Sequence, residues 1–484
     1  MITFGEYRPD QSSFQAKSTQ YLSNVLPRGD GYGPFSDFSV LTSALAATCR
    51  GYFYARKADG SISVFAATAT KLYNLDNTNL TWTDVSKALG TYTDVSIDDQ
   101  WQFAQFNNFV FAVQANTVPQ VFNLTSSTEF ADLGGSPPQA RYIAIVNRFV
   151  VLSGLGTSTP YRIQWSGFNA TTTWTAGVNS SDFQDLPDGG IVRGVAGGEY
   201  GVISQDAGMR RMIFSPGSPV VFQIERIAEE KGIFAPLSMT RSGDRVFYIS
   251  TDGFKMVLPG AGPQAIGKER VDRTFFSDVD TSYLRMCIGA SDPRNSRVYF
   301  AYKSVAGTPG LFDKLLCYDW ALDRWSPITT SGEYIATLAA PGITLENLDS
   351  ISASIDALAF SLDDISTSVL SNLSAVNSAH KIGFYSGSPL EATLDTPEQG
   401  GWNRVRVKGF RPATDAGTCY GSIGARERQQ DSVTYSTEQA LNVRGLVPAN
   451  VSTRLARGRL RIPAAATWTF ASGIEPDFSA EGAR

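Results

Sequence analysis

Between residues 40 and 330 the chain alternates short apolar or aromatic runs with polar turns, and the alternation recurs. Runs of four to eight residues with period-two patterning, bounded by Gly, Asn and Asp, predict β-strands. The clearest unit runs from Gly243 to Met256. There a Gly-Asp corner leads into the apolar run Val246 to Ile249, and Ser-Thr-Asp-Gly then forms a hairpin turn in which Gly253 takes positive φ without steric cost. Comparable units occupy residues 51–85, 101–133, 148–174, 198–224 and 297–328. The step of about 40–55 residues suits one four-stranded propeller blade. Each copy is read as an inner strand, an alternating middle strand, and an outer strand with an aromatic near a turn; Val246 to Met256 is read as an inner pair. Trp82, Trp174 and Trp325 hold comparable places, where a flat side chain fills the gap between adjacent blades. The pattern therefore predicts an all-β fold with a β-propeller-like domain of six to eight blades, six of them visible in the sequence. A stacked β-sandwich with irregular strands is the competing arrangement.

The flanks differ. Residues 1–39 read as an extended N-terminal arm, because Pro9, Pro27, Gly29, Gly31, Gly33 and Pro34 would interrupt any helix. Such an arm either lies across a neighbouring subunit or remains a disordered tail. Residues 40–340 hold the propeller-like domain. In 341–379, Leu348, Ile351, Ile355, Leu358, Leu362, Ile365 and Val369 keep three-and-four spacing, with Ser, Asp, Ala and Thr between them. An amphipathic helix and a Ser-rich linker both fit. Residues 380–484 return to strand patterning and are expected to form a C-terminal β-sandwich-like module. Within it Arg404, Arg406 and Lys408, and again Arg457, Arg459 and Arg461, sit at every second position and so share one face of a strand. These six are the candidate contact residues toward another subunit or an adaptor protein.

Charge sharpens this division. The formal net charge is −5, yet residues 401–484 hold twelve Lys and Arg against seven Asp and Glu, leaving 29 against 39 for residues 1–400. The balance excludes a generally basic nucleic-acid binder and suits subunits that meet through opposite fields. Cys49, Cys287, Cys317 and Cys419 are far apart and without zinc spacing, so buried free thiols are expected. The N-terminus has no apolar signal core, and no window of about 18 apolar residues appears. A soluble protein made in a cytoplasm, with no membrane insertion, is the expectation.

The search for chemistry yields little. His380 is the single histidine, and no Gly-X-Ser-X-Gly elbow accompanies it. Catalytic zinc sites use two or three histidines. Gly194-Val-Ala-Gly-Gly198 has no following Lys-Ser/Thr and reads as an inter-strand corner, not a phosphate loop. Ser250-Thr-Asp-Gly-Phe254 has part of a sialidase-type Asp-box, a turn device, but the following Trp is missing and the box does not recur. A glycosidase pair of carboxylates remains open among 46 acidic residues. The expectation is a protein that is not an enzyme and uses no cofactor or metal.

Several motifs together carry a resemblance. They are Asn24-Val-Leu-Pro with Gly31-Tyr-Gly-Pro34, Lys71-Leu-Tyr with Trp82-Thr-Asp-Val-Ser86, Gln164-Trp-Ser-Gly167 and Gly197-Gly-Glu-Tyr-Gly201. Asp252-Gly-Phe254, Ile266-Gly-Lys-Glu-Arg-Val-Asp272, Asp292-Pro293 and Asp323-Arg-Trp-Ser326 complete the set. The set resembles a family of phage and prophage virion proteins akin to the tail nozzle, or hub, proteins of short-tailed phages. The resemblance implies a structural protein of the virion tail, assembled in the host cytoplasm as a ring homo-oligomer, a hexamer by the same resemblance. Such a ring lies below the portal and its adaptor protein, encloses the DNA exit channel, helps retain packaged DNA and docks tail fibres or spikes. DNA would pass the lumen without sequence-specific binding, and an acidic body fits that, because each phosphate contact adds a salt-sensitive attraction. The alternative is a propeller-type receptor- or glycan-binding tail component, including a glycan-cleaving one.

Overall fold

The computed structural model describes residues 1–12, 14, 17–96, 98–340, 354 and 371–481. Among these, seven four-stranded antiparallel sheets form a β-propeller. The innermost strands of blades 1 to 7 are Tyr52–Arg56, Gln102–Phe106, Ala140–Val146, Val192–Ala196, Thr240–Ser242, Ile288–Asp292 and Tyr334–Ala339. Neighbouring inner strands pack against each other from blade 1 to blade 4 and from blade 5 to blade 7, and that of blade 7 meets that of blade 1. Between blades 4 and 5 polar bonds supplement an apolar cluster of Val202, Met209, Val246 and Tyr248: the Arg241 guanidinium donates to the Gly197 carbonyl, and the Tyr200 hydroxyl donates to the Asp244 carbonyl at 2.7 Å.

The ring is closed by distant pieces of chain. Blade 7 takes Tyr334–Ala339, Ser371–Val376 and Lys381–Phe384 from the far side of the propeller, and its outermost strand is Ser39–Ala44. Ladder pairs such as Gly383 with Val40 hold that closure, helped by a bond from the Ile382 amide to Thr42 Oγ1 at 3.1 Å. The blade thus draws on residues on both sides of the positions 340 and 380 expected to bound the domain. The spaced apolar positions Leu348 to Val369 lie outside the described residues.

From the third copy onward the sequence pattern lies one strand out of phase with the blades. Phe149–Leu155, Tyr200–Gln205, Arg245–Ser250 and Arg297–Tyr302 are second strands, and the hairpin Arg245–Ser250 with Gly253–Val257 is the middle pair of blade 5. The physical reason is burial. A second strand is covered on both faces by neighbouring blades, as in the wholly buried Phe149–Leu155. An inner strand has one side toward the channel and carries polar residues, so its apolar signature is weaker; that of blade 5 is only Thr-Arg-Ser.

Three tryptophans tie a blade to the one before it. Trp325, fully buried in the outer strand of blade 6, donates through Nε1 to the Ile266 carbonyl beyond blade 5 at 3.0 Å. Trp82 in blade 1 donates to the Ser43 carbonyl of blade 7 at 3.0 Å. Trp174, in a loop of blade 3, packs with Phe111, Val113 and Leu133 of blade 2. Each buries a large apolar surface and satisfies its one donor.

The N-terminal arm is built into the chain's own sheets, against the expectation of a tail or a strap on a neighbour. Val25–Arg28 and Gly31–Pro34 form a hairpin whose second strand joins Ala471–Ala480, and Leu22–Ser23 pairs with Ala392–Asp395. Together they complete an eleven-stranded C-terminal sheet whose spine is two long strands, Gln399–Thr414 and Val447–Ile462. One apolar cluster runs from this sheet (Leu394, Phe410, Leu460, Ile474) into blades 5 and 6 (Phe254, Phe300, Trp325), so sheet and propeller share a core. All four cysteines are buried and free, and burial pushes the Cys287 thiol up to about 12. Among the described residues no helix is long and apolar enough to cross a membrane.

Candidate functional site

The six basic residues singled out from the sequence fall into two groups. Arg457, Arg459 and Arg461 face strands that supply their counter-charges. Arg459 forks onto Asp395 at 2.6 and 2.9 Å and lies between the Tyr21 and Tyr435 rings. Arg461 forks onto Glu438 at 2.8 and 2.6 Å and reaches Glu391 at 2.8 Å, contacts that raise its pKa. Arg457 stands 3.6 Å from the buried Glu398. Glu391, Asp395 and Glu398 all precede residue 401, so three of the five excess positive charges of the C-terminal segment came from a cut through these ion pairs. The row is an internal lattice of charge and not a free basic face.

The other group is more open. Arg404 pairs with Glu427 at 2.8 Å, Arg406 donates to Asn450 Oδ1 at 2.8 Å, and Lys408 is exposed. Beside them the ladder breaks: Gly400 pairs with Leu455 and Val405 with Thr453, so Gly401, Trp402, Asn403 and Arg404 stand opposite Arg454 alone. This bulge carries Trp402 into solvent, 93% exposed. Close by, Ile2, Val405, Val407, Ile423, Ile474 and Phe478 line an apolar groove of about 230 Å³, with Phe478 itself 59% exposed. Exposed aromatic and aliphatic surface gathered in this way marks an interaction face more often than a scattered apolar residue does. Nothing in the local sequence beyond Gly-Gly-Trp-Asn signalled it.

A second site lies where the inner strands begin. Segments entering blades 2 to 6 surround a recess of about 550 Å³ at the mouth of the central channel. Its polar walls include Asp98, Asp99, Gln100, Arg141, Arg193 and Arg285. Arg141 Nε stands 3.2 Å from Asp99, Arg193 Nε 2.6 Å from Asp206, and Arg285 3.3 Å from Asp98. At the junction of blades 7 and 1, burial raises the pKa of Glu333, which accepts from the Cys49 amide at 3.0 Å and lies 2.6 Å from His380 Nδ1. The lone histidine thus braces a blade junction. The recess was invisible in the sequence because its members are spread over nearly two hundred residues, in five short groups of one to five. A correct phase for the inner strands would have gathered them. Among the described residues no group of three His, Cys, Asp or Glu side chains is placed to hold a metal ion.

No protein-family model and no curated protein matches the chain. Among solved structures it is similar to the extracellular domain assigned to a hybrid two component system of B. thetaiotaomicron, at 10% identity and a TM-score of 0.40, over 86% of this chain and 47% of that one. It is similar also to the WD40 domain of Neurospora crassa Pan2, at 9% identity and a TM-score of 0.36, over 61% of this chain and 84% of that one. A third is the dihydro-heme d1 dehydrogenase NirN, at 11% identity and a TM-score of 0.32, over 61% and 59%. The chain spans about half the length of the first of these. At such identities the propeller assignment rests on the chain's own seven sheets and their closed ring.

Proposed function

We propose that the chain is a structural, non-catalytic assembly protein of the tail-nozzle kind that its motifs resemble, forming a ring through its C-terminal sheet and offering docking faces to adaptor and fibre or spike proteins. The observation that carries this reading is the pairing of an exposed knob, Trp402 on its bulge, with an apolar groove on the same module. A protruding knob beside a groove suits head-to-tail contacts, which form a ring when the rotation between subunits closes and a filament when it does not. The core shared by sheet and propeller supports it, since a rigid body holds such contacts at a fixed angle. Arg404, Arg406 and Lys408 flank the knob and are the basic contact residues this reading retains. Mass photometry and negative-stain microscopy test it: a ring is expected, weakened by Trp402→Ala, whereas a chain that stays monomeric at micromolar concentration defeats the reading.

A second reading, a propeller-type receptor- or glycan-binding component, is favoured by one observation. The channel-mouth recess is large and lined with both donors and acceptors, as sites for small polar ligands are.

A further inference from the structure

The recess at the channel mouth contains a polar group whose bonding is incomplete. Gln100 is 5% exposed, and its side-chain Oε1 is buried without a hydrogen-bond partner. A buried acceptor left in this state destabilises the protein, and a ligand donor would relieve it. Arg285 is a cation lining the same recess. Its side chain is 8% exposed, and it meets Asp98 at 3.3 Å, a carboxylate that is itself 75% exposed and so largely held by water. Its guanidinium lies over the Tyr283 ring, 4.9 Å from the centroid. Arg50 adds a second positive charge nearby; burial first, and then Arg285, lower its proton affinity. A guanidinium has five N–H donors in a planar fork, and a carboxylate matches that fork bidentately.

We propose that this recess binds an acidic saccharide, its carboxylate on Arg285 and a ring hydroxyl donating to Gln100 Oε1. The inference rests on the glycan-binding reading above and is independent of ring formation. The walls argue for the class. Asp98 and Asp99 stand beside Arg285 and Arg141, and Arg193 is paired with Asp206, so the walls are near charge balance. A ligand with one carboxylate and several hydroxyls suits them, whereas a phosphate chain or nucleic acid would meet these carboxylates. The same aspartates accept from hydroxyls, and Tyr142 and Ser282 add hydroxyl groups that both donate and accept. The volume of about 550 Å³ falls within the range in which small ligands are enclosed, about 300–1,000 Å³.

The test uses the full chain and three probes at millimolar concentration, glucuronate, glucose and acetate, read by saturation-transfer NMR and calorimetry. Glucuronate is expected to bind, with glucose and acetate each at least tenfold weaker. Arg285→Ala and Gln100→Leu should each weaken glucuronate at least tenfold, and Arg285→Lys should recover part of the loss. Melting curves establish that each variant is folded, and Gln100→Leu carries the test should Arg285→Ala not fold. Glucose binding as tightly as glucuronate, acetate binding as tightly as glucuronate, or glucuronate affinity unchanged in both variants overturns the assignment. Absence of binding by any saccharide overturns the glycan-binding reading with it. Ring assembly, measured separately, is untouched by any of these results.

Discussion

Asp10 of the N-terminal arm caps the helix Asp272–Asp278 through Thr274, whose backbone N–H and hydroxyl both donate to Asp10 Oδ1, at 2.9 and 2.7 Å. The other carboxylate oxygen accepts from the Arg273 amide at 2.8 Å, and the Asp10 amide donates to the Arg270 carbonyl at 3.1 Å. A helix supplies no partners for its own first amides. Here they are satisfied by a residue more than two hundred and fifty positions away, which fixes the arm to the blade 5–6 connection. Asp10→Ala should lower stability by about 1 kcal/mol, the usual cost of a lost cap. Chemical denaturation checks it, and limited proteolysis should show earlier cleavage within residues 1–35.

Trp325 closes the seam between blades 5 and 6. It is fully buried, its indole donates to Ile266, and it packs on Phe254 and Tyr318 with ring centroids 4.9 and 4.7 Å away. Trp325→Ala should cost about 3–5 kcal/mol, as large-to-small changes of buried aromatics do. Trp325→Phe keeps most of the volume but leaves the Ile266 carbonyl without its donor, and should fall between the two in a thermal melt.

The Arg459–Asp395 pair should behave as an internal brace. Asp395 has a side chain 1% exposed and accepts from both Arg459 and the Tyr435 hydroxyl. Arg459→Ala strands a buried carboxylate and should cost about 3–5 kcal/mol, most of which Asp395→Asn in the same chain should restore. Lys408→Glu, on an exposed side chain, should change stability by no more than about 0.5 kcal/mol. Unfolding curves of the three variants separate folding from assembly, so a ring defect in Lys408→Glu would report an interface.

Asp272 links stability to pH. Burial raises its carboxyl pKa from 3.8 to about 6, and Oδ1 accepts from the Phe254 amide at 3.0 Å. An acid with a higher pKa folded than unfolded takes up a proton on folding between the two values. Its contribution therefore favours the folded state at the acid end and is lost as pH rises from about 4 to about 6. Asp272→Asn keeps an acceptor for Phe254 and cannot ionise. Its stability relative to the unchanged chain should rise across that window and level off above it, as measured by denaturant midpoints from pH 4 to 7. The same carboxylate crowds Gly253 and Gly267, where a Cβ would collide with it, and Gly253 holds φ +124. Gly253→Ala should therefore be strongly destabilising for reasons of both space and backbone.

What was legible in the sequence follows burial. Val246 to Ile249, Phe149 to Leu152 and Val298 to Ala301 are buried on both sides, so their composition alone marks them as strands. Repetition then marks the propeller. The inner strands, the sixteen-residue spine strands and the arm carry mixed patterns, because one of their faces meets the channel, water or charge. The basic row at 457–461 illustrates the cost: its alternation was visible, but its counter-ions lie on separate strands.

The sequence by itself determined the fold class and the repeated unit, since period-two burial and turn chemistry are local properties that each segment carries with it. Tertiary structure alone decided the rest. It set the count of seven, because blade 7 exists only when Ser39–Ala44 meets Lys381–Phe384. It decided which charges meet a buried partner, Arg459 on Asp395, and which meet an exposed one, Arg285 on Asp98 in the recess. Pairing energy between distant residues leaves no imprint on either residue's neighbours in the chain.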